Sequence, residues 1–174
     1  MMSRLAALTR RNLDAQGFDW LDDDRKALIA LPLRFTPAVG TILVVIGLAL
    51  KSSIWVGAMA FVALSGAVLP RGMFIDLIYN FGVRHLFRAP PLPPTPRPRR
   101  FSYLFSATLL ASSALALHLG LPLLGLFLGG AVVFGGTVLT TTLFCLGSLI
   151  YRWLPSPQRA TRLLHKRRSM IDTA

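Results

Sequence analysis

Residues 37–69 read PAVGTILVVIGLALKSSIWVGAMAFVALSGAVL, two apolar runs parted by one lysine and two serines. The first, Pro37 to Leu50, covers roughly 21 Å as a helix rising 1.5 Å per residue. It therefore needs Phe35 and Lys51 to reach both faces of a hydrocarbon core about 30 Å thick. Thr36 stands where a helix cap belongs, and Pro37 at the first helical position, where a missing N–H costs nothing. The second run, Ile54 to Leu69, starts behind Ser52 and Ser53 and stops at Pro70. So short a connection forces the second run back along the first, a tight antiparallel hairpin of two membrane spans.

A second pair follows downstream. Tyr103 to Leu119 is apolar behind a Ser102 cap, and the next run opens at Pro122 and stays apolar to about Ile150. That last run exceeds the bilayer, so it is expected to tilt, to kink near Gly135 and Gly136, or to project from the membrane. Tyr151 and Trp153, with Arg152 between them, mark its interfacial end. With 53% hydrophobic and only 15% charged residues in 174, and a mean hydropathy of +0.58, the chain is too apolar for a water-soluble surface. The expected fold is an all-α integral membrane protein with four transmembrane helices as two antiparallel hairpins, joined by an interfacial amphipathic helix and a proline-rich linker. The segments are a cytoplasmic extension (1–34), the first hairpin (35–70), the amphipathic segment and linker (71–100), the second hairpin (101–153) and a basic tail (154–174). The first long apolar run comes too late for a cleavable signal, so the mature protein is expected to start at or near Met1.

Charge supplies the orientation. The chain holds 19 Lys+Arg against seven Asp and no Glu, and five of the Asp precede the first run. Six Lys/Arg lie before the first span, six between Arg71 and Arg100, and six from Arg152 onward, while the hairpin turns hold only Lys51. The positive-inside bias puts all three basic segments, and so both termini, on the cytoplasmic side of a bacterial inner membrane. Basic residues that flank apolar runs suit anionic lipid headgroups. Nucleic acid is set aside, because no binding fold or stacking motif accompanies the charge. Arg34-Phe35-Thr36 and Arg100-Phe101-Ser102, 66 residues apart, open the two hairpins alike. This is either a duplication or two independent solutions to the same interface.

Between the hairpins, Asp76, Asn80, Arg84 and Arg88 recur every four residues, with Phe74, Leu77, Ile78 and Phe81 on the adjoining face. That is the pattern of a helix lying in the interface, with Gly82 as its expected break. Six prolines between positions 90 and 98 then favour a polyproline II spacer, with a docking strip for a proline-reading domain as the alternative. Asp22-Asp23-Asp24 is read as the start of a short helix ending before Pro32 rather than as a cation site.

Little in the chain suggests chemistry. The spans hold no Asp, Glu, Lys, Arg or His between their interfaces, which argues against proton-coupled transport. Ser112, Ser113, Thr140, Thr141 and Thr142 are expected to bond to their own or a neighbouring helix. Gly125 and Gly129 form a GxxxG step, and Thr108, Ser112 and Ala116 repeat small residues every four positions, both suited to close helix packing within the chain or against another subunit. One Cys excludes an intrachain disulfide and any Cys-based metal cage. His85 and His165 lie in basic segments and His118 at a turn, poor places for a haem or pigment ligand. Cys145, with no His or carboxylate beside it in sequence, reads as a buried packing thiol.

The basic-Phe start, the first hairpin closing on Pro-Arg-Gly, the amphipathic stretch, the proline-rich linker and the final Phe144-Cys145-Leu146-Gly147 with Tyr151 resemble an uncharacterised bacterial family of four-helix membrane domains, over roughly residues 30 to 153. The resemblance implies a closing Cys-x-x-Cys and thioredoxin-like or sulfur-transfer partners; here Ser148 stands in place of the second cysteine, so no dithiol cycle is available within one chain. The expected function is a small non-catalytic accessory or scaffolding subunit of a larger membrane complex, of respiratory or photosynthetic type, packed against other integral membrane subunits. No catalytic, cofactor-binding or metal-binding residue is expected. The alternative is a thiol- or sulfur-handling membrane protein working through Cys145 with a thioredoxin-like partner.

Overall fold

The computed structural model describes residues 7–69, 73–87 and 89–153. The Pro-Arg-Gly motif at 70–72, Arg88, His165 and the basic tail lie outside the described residues. Among the described residues all regular structure is helical. Asp22 opens α2 (Asp23–Ala30) by accepting the Arg25 N–H at 3.2 Å, as the acidic run predicts. It lies against α1 (Ala7–Ala15) through Arg10–Asp23 and Lys26–Asp14 ion pairs of 2.8 and 2.6 Å. Only Leu31, itself in helical conformation, parts α2 from α3 (Pro32–Ala49), so residues Asp23–Ala49 form one rod of 27 residues.

The turn after α3 matches the serine-rich signal. Lys51 takes a left-handed φ of 49°, and the Ser52 hydroxyl accepts the Trp55 N–H at 3.3 Å to start α4 (Ser53–Val68). The Trp55 indole reaches back to the Leu43 carbonyl at 2.9 Å, and Gly47 leaves room for its ring. A short stretch follows: α5 (Phe74–Ile78), a π-helical turn (Tyr79–Val83) and α6 (Arg84–Phe87). The proline segment then leads into α7 (Arg97–His118), α8 (Pro122–Thr142) and α9 (Leu146–Trp153).

The long helices pack around one apolar centre. α4 runs along α7, α8 lies against both α3 and α7, and α9 folds onto α7. Val44, Leu48, Val56, Ala60, Ala63, Ala107 and Leu110 form this core. Gly125 and Gly129 lie at the seam, where a Cβ would strike Leu117 and Leu48 respectively, so the GxxxG step packs within the chain. A second cluster, Leu13, Phe18, Leu21, Ile29, Leu33 and Leu143, binds the N-terminal layer to the end of α8, with Leu92 of the linker against it. The proline segment is therefore partly covered rather than a free strip: Pro96 and Pro98 close on Gly17, whose φ of +95° turns the chain there.

Three helices are long and apolar enough to cross a membrane: Asp23–Ala49, α7 with 22 residues and α8 with 21. This is a membrane protein. The fourth expected span, α4, has 16 residues, about 24 Å of helix at 1.5 Å per residue.

Several boundaries differ from the sequence reading. α3 starts at Pro32, which takes the first-turn role assigned to Pro37; Thr36 is not a cap, because burying Leu33 in the N-terminal cluster extends the helix backward. α7 starts at Arg97, so Ser102 is inside it. The last apolar run is not one long helix, nor does it break at Gly135 and Gly136, where Gly136 packs tightly on Thr41. It ends at Leu143 in a left-handed conformation (φ 55°), because Asn12 and Gln16 donate to the carbonyls of Thr142 and Leu143 at 2.8 and 2.6 Å. These side chains satisfy acceptors that a helix end leaves open. Gly82 does not break its segment but sits within the π-turn. The polar face of that segment points inward: Asp76 is buried and Asn80 accepts the Leu92 N–H at 2.8 Å, while Ile78 and Phe81 are exposed.

Candidate functional site

Apart from Ser113, the polar side chains that the fold buries gather at one end of the helices. Asp76 enters from α5, held there because its carboxylate accepts the Met73 N–H at 3.1 Å across the helix start. Its other oxygen accepts the hydroxyl proton of Thr36 on α3. Arg99, 3% exposed, projects from the first turn of α7, and its Nε donates to the Tyr103 hydroxyl one turn on at 3.0 Å, with the guanidinium 5.7 Å from that ring's centre. A buried charge requires such partners, since an isolated one in low dielectric is expensive. Arg100 turns the other way and donates to the carbonyls of Ala67 and Val68 at 2.8 and 3.0 Å, closing the end of α4. Nearby, Tyr79 reaches the Pro90 carbonyl at 3.4 Å; burial pushes its hydroxyl above 10, and the positive charge of Arg84 pulls against that.

Cys145 joins the same end from the break after α8. It is 6% exposed, and its thiol donates to the Ser102 hydroxyl oxygen at 3.1 Å. Gly147 makes this approach possible, for a Cβ there would lie 2.5 Å from the Ser102 Oγ. Ser148 is also buried, and its hydroxyl finds no partner among the described residues. Above the Ser102–Cys145 pair lies a cavity of about 160 Å³. Thr36, Ser102, Tyr103 and Cys145 line its lower end; Val44, Met59, Leu110 and Val132 line the upper.

The remaining candidates scatter. Thr140, Thr141 and Thr142 bond back to carbonyls of their own helix, and Ser113 bonds across to the Gly125 carbonyl at 2.7 Å, as expected of hydroxyls in spans. Of the second small-residue repeat, Ala116 is buried but Thr108 and Ser112 face outward. His85 and His118 are exposed, and among the described residues no cluster of three His, Cys, Asp or Glu could hold a metal. Sequence reasoning missed the buried roles of Asp76, Arg99, Asn12 and Gln16. For Asp76 a signal existed: it is the sole acidic residue between Asp24 and Asp172.

No curated protein and no solved structure matches the chain. One family does, over residues 31–155, which takes in every long helix and the polar end just described. The chain thus belongs to the family described as Domain of unknown function (DUF4395).

Proposed function

We propose that this protein is a non-catalytic subunit of a larger inner-membrane complex, with four spans and both termini in the cytoplasm. One observation carries the reading: Thr108, Ala111 and Ser112 form an outward-facing strip of small residues in the middle of α7, between the exposed Leu104 and Leu115. In lipid, where the hydrophobic effect between helices is absent, a small-residue face gains from the close approach of another helix. The polar groups at this end support the same reading, because buried Asp76 and half-buried Arg100 are engaged in joining elements of the fold. Leu8, Trp20, Leu28 and Leu31 of the N-terminal layer are also exposed and offer a second contact surface. A photo-crosslinking residue at Ser112 should capture another integral membrane protein in native membranes, and Ala111→Leu should abolish co-purification in mild detergent. A monodisperse species of the chain's own mass plus detergent, with no crosslink, would overturn the proposal.

The thiol reading has one observation on its side: Cys145 is among the residues that line the cavity. It requires that a mixed disulfide with a thioredoxin-like partner can be trapped and that Cys145→Ala abolishes function in a folded protein. Wild-type behaviour of Cys145→Ala removes it.

A further inference from the structure

The cavity has an apolar wall that neither reading uses, the thiol reading drawing only on Cys145 at one end. Its volume of about 160 Å³ is close to that of an engineered cavity of roughly 150 Å³ that takes up benzene, but this one is open on one side, where exposed Phe105 and Leu146 lie at its rim. The upper wall is apolar, from Val44, Met59, Leu110 and Val132, so water there would lack the two to four polar partners it needs. Among its lining residues the cavity has no Asp, Glu, Lys, Arg or His, so a charged guest would lose its hydration without an ion to replace it. The lower end is different in kind. Ser102 meets the Cys145 thiol at 3.1 Å and Tyr103 accepts from Arg99 at 3.0 Å, so each hydroxyl, with one donor and two acceptor sites, keeps hydrogen-bonding capacity beyond its protein partner.

We propose that this cavity binds an uncharged amphiphile: one ring, or a chain of about six carbons, whose hydroxyl or carbonyl oxygen meets Ser102 and Tyr103 at the Cys145 end. The space is kept open by the sequence. Gly40, Gly135 and Gly136 line it without side chains, and a Cβ on Gly135 would meet nothing within 4 Å. A side chain there is therefore accommodated without displacing the backbone, whereas one on Gly136 would strike Thr41.

The probe is p-cresol, with toluene as its counterpart lacking the oxygen, measured by equilibrium dialysis against the purified full chain in nanodiscs. p-Cresol should bind saturably and about fivefold tighter than toluene after correction for partition into lipid, the worth of one net hydrogen bond. Ser102→Ala should erase most of that preference while leaving toluene binding unchanged. Gly135→Leu, and separately Ser106→Leu from the facing wall, should abolish saturable binding of both probes; retention of binding in both filled variants overturns the site. Equal affinity for p-cresol and toluene in the wild type overturns the polar end. A decyl-substituted benzoquinone, whose ring fits the cavity only if its tail leaves through the open side, separates the sources: saturable binding of it, lost in the filled variants, assigns the ligand to the bilayer, and binding of p-cresol alone assigns it to water. Absence of saturable binding by all three probes refutes the proposal.

Discussion

Asp76 shows how far a single position can depart from its local pattern. Its spacing with Asn80 and Arg84 places it on a polar face, and a polar face in the interface normally meets water. Instead it is 5% exposed, because Thr36 and the Met73 N–H supply both carboxylate oxygens with donors. Asp76→Ala leaves those donors unpaired in a buried place and is expected to cost about 1–3 kcal/mol. Asp76→Asn, which keeps one acceptor, should cost less. Denaturation in mixed micelles measures both, and an Asp76→Ala midpoint equal to wild type would refute the role. The glycines of α8 make a second residue-scale case. A Cβ at Gly129 would lie 2.5 Å from Leu48 and 3.0 Å from the Ser113 Oγ, whereas one at Gly130 meets nothing within 4 Å. Gly129→Ala should therefore destabilise by about 1–3 kcal/mol, while Gly130→Ala should be neutral or stabilising by up to about 1 kcal/mol. The GxxxG spacing was legible in sequence as a packing face; that the adjacent Gly130 is dispensable was not, since both fit the same composition.

At the scale of elements, the end of α8 is set by a helix more than a hundred residues earlier in the chain. The run from Pro122 to Ile150 carries no proline or charge that would stop it, and hydropathy alone extends the helix to the interface. Asn12 and Gln16 hold the carbonyls of Thr142 and Leu143, and the Leu143 side chain, 1% exposed, fills the cluster around Leu13 and Phe18. The double variant Asn12→Ala, Gln16→Ala should loosen this joint without unfolding the core around Val56 and Leu110. Hydrogen exchange should rise in α1 and at residues 143–149 and stay near wild type in α4 and the middle of α7. Uniform protection across the chain would show that the apolar cluster suffices. The starts of α3 and α7 carry a similar lesson. Thr36 and Ser102 have the residue types of caps, but each lies within a helix that tertiary contacts extend backward, Thr36 toward Asp76 and Ser102 toward Cys145.

For the whole molecule, the decisive question is which side of the membrane each segment occupies. Eighteen of the nineteen Lys/Arg fall in three segments separated by nearly uncharged turns, and only four spans keep all three on the cytoplasmic side. Single cysteines at Ser3, Thr95 and Thr173, in a Cys145→Ala background, should resist impermeant thiol reagents in intact cells, while one at Ser53 should react. Labelling of the Thr95 site from outside would refute this arrangement and leave α4, the shortest of the long apolar helices, as the first candidate for a helix that does not cross. The sequence by itself determined that the chain enters a membrane, where the turns after α3 and α7 fall and which segments are basic, because hydropathy and charge are summed over many residues and survive errors at any one of them. It also determined that Ser113 and Thr140 to Thr142 would bond within the protein, whereas Ser112, expected to do the same, faces outward. Tertiary structure alone decided that Asp76 and Arg99 turn inward, that α8 stops at Leu143, and that Ser102, Tyr103 and Cys145 meet below an apolar cavity. Arg99 apart, whose partner Tyr103 is one turn on in the same helix, each of these rests on a partner dozens of residues away or on another helix, and no local period or composition encodes which distant donor will reach a given acceptor.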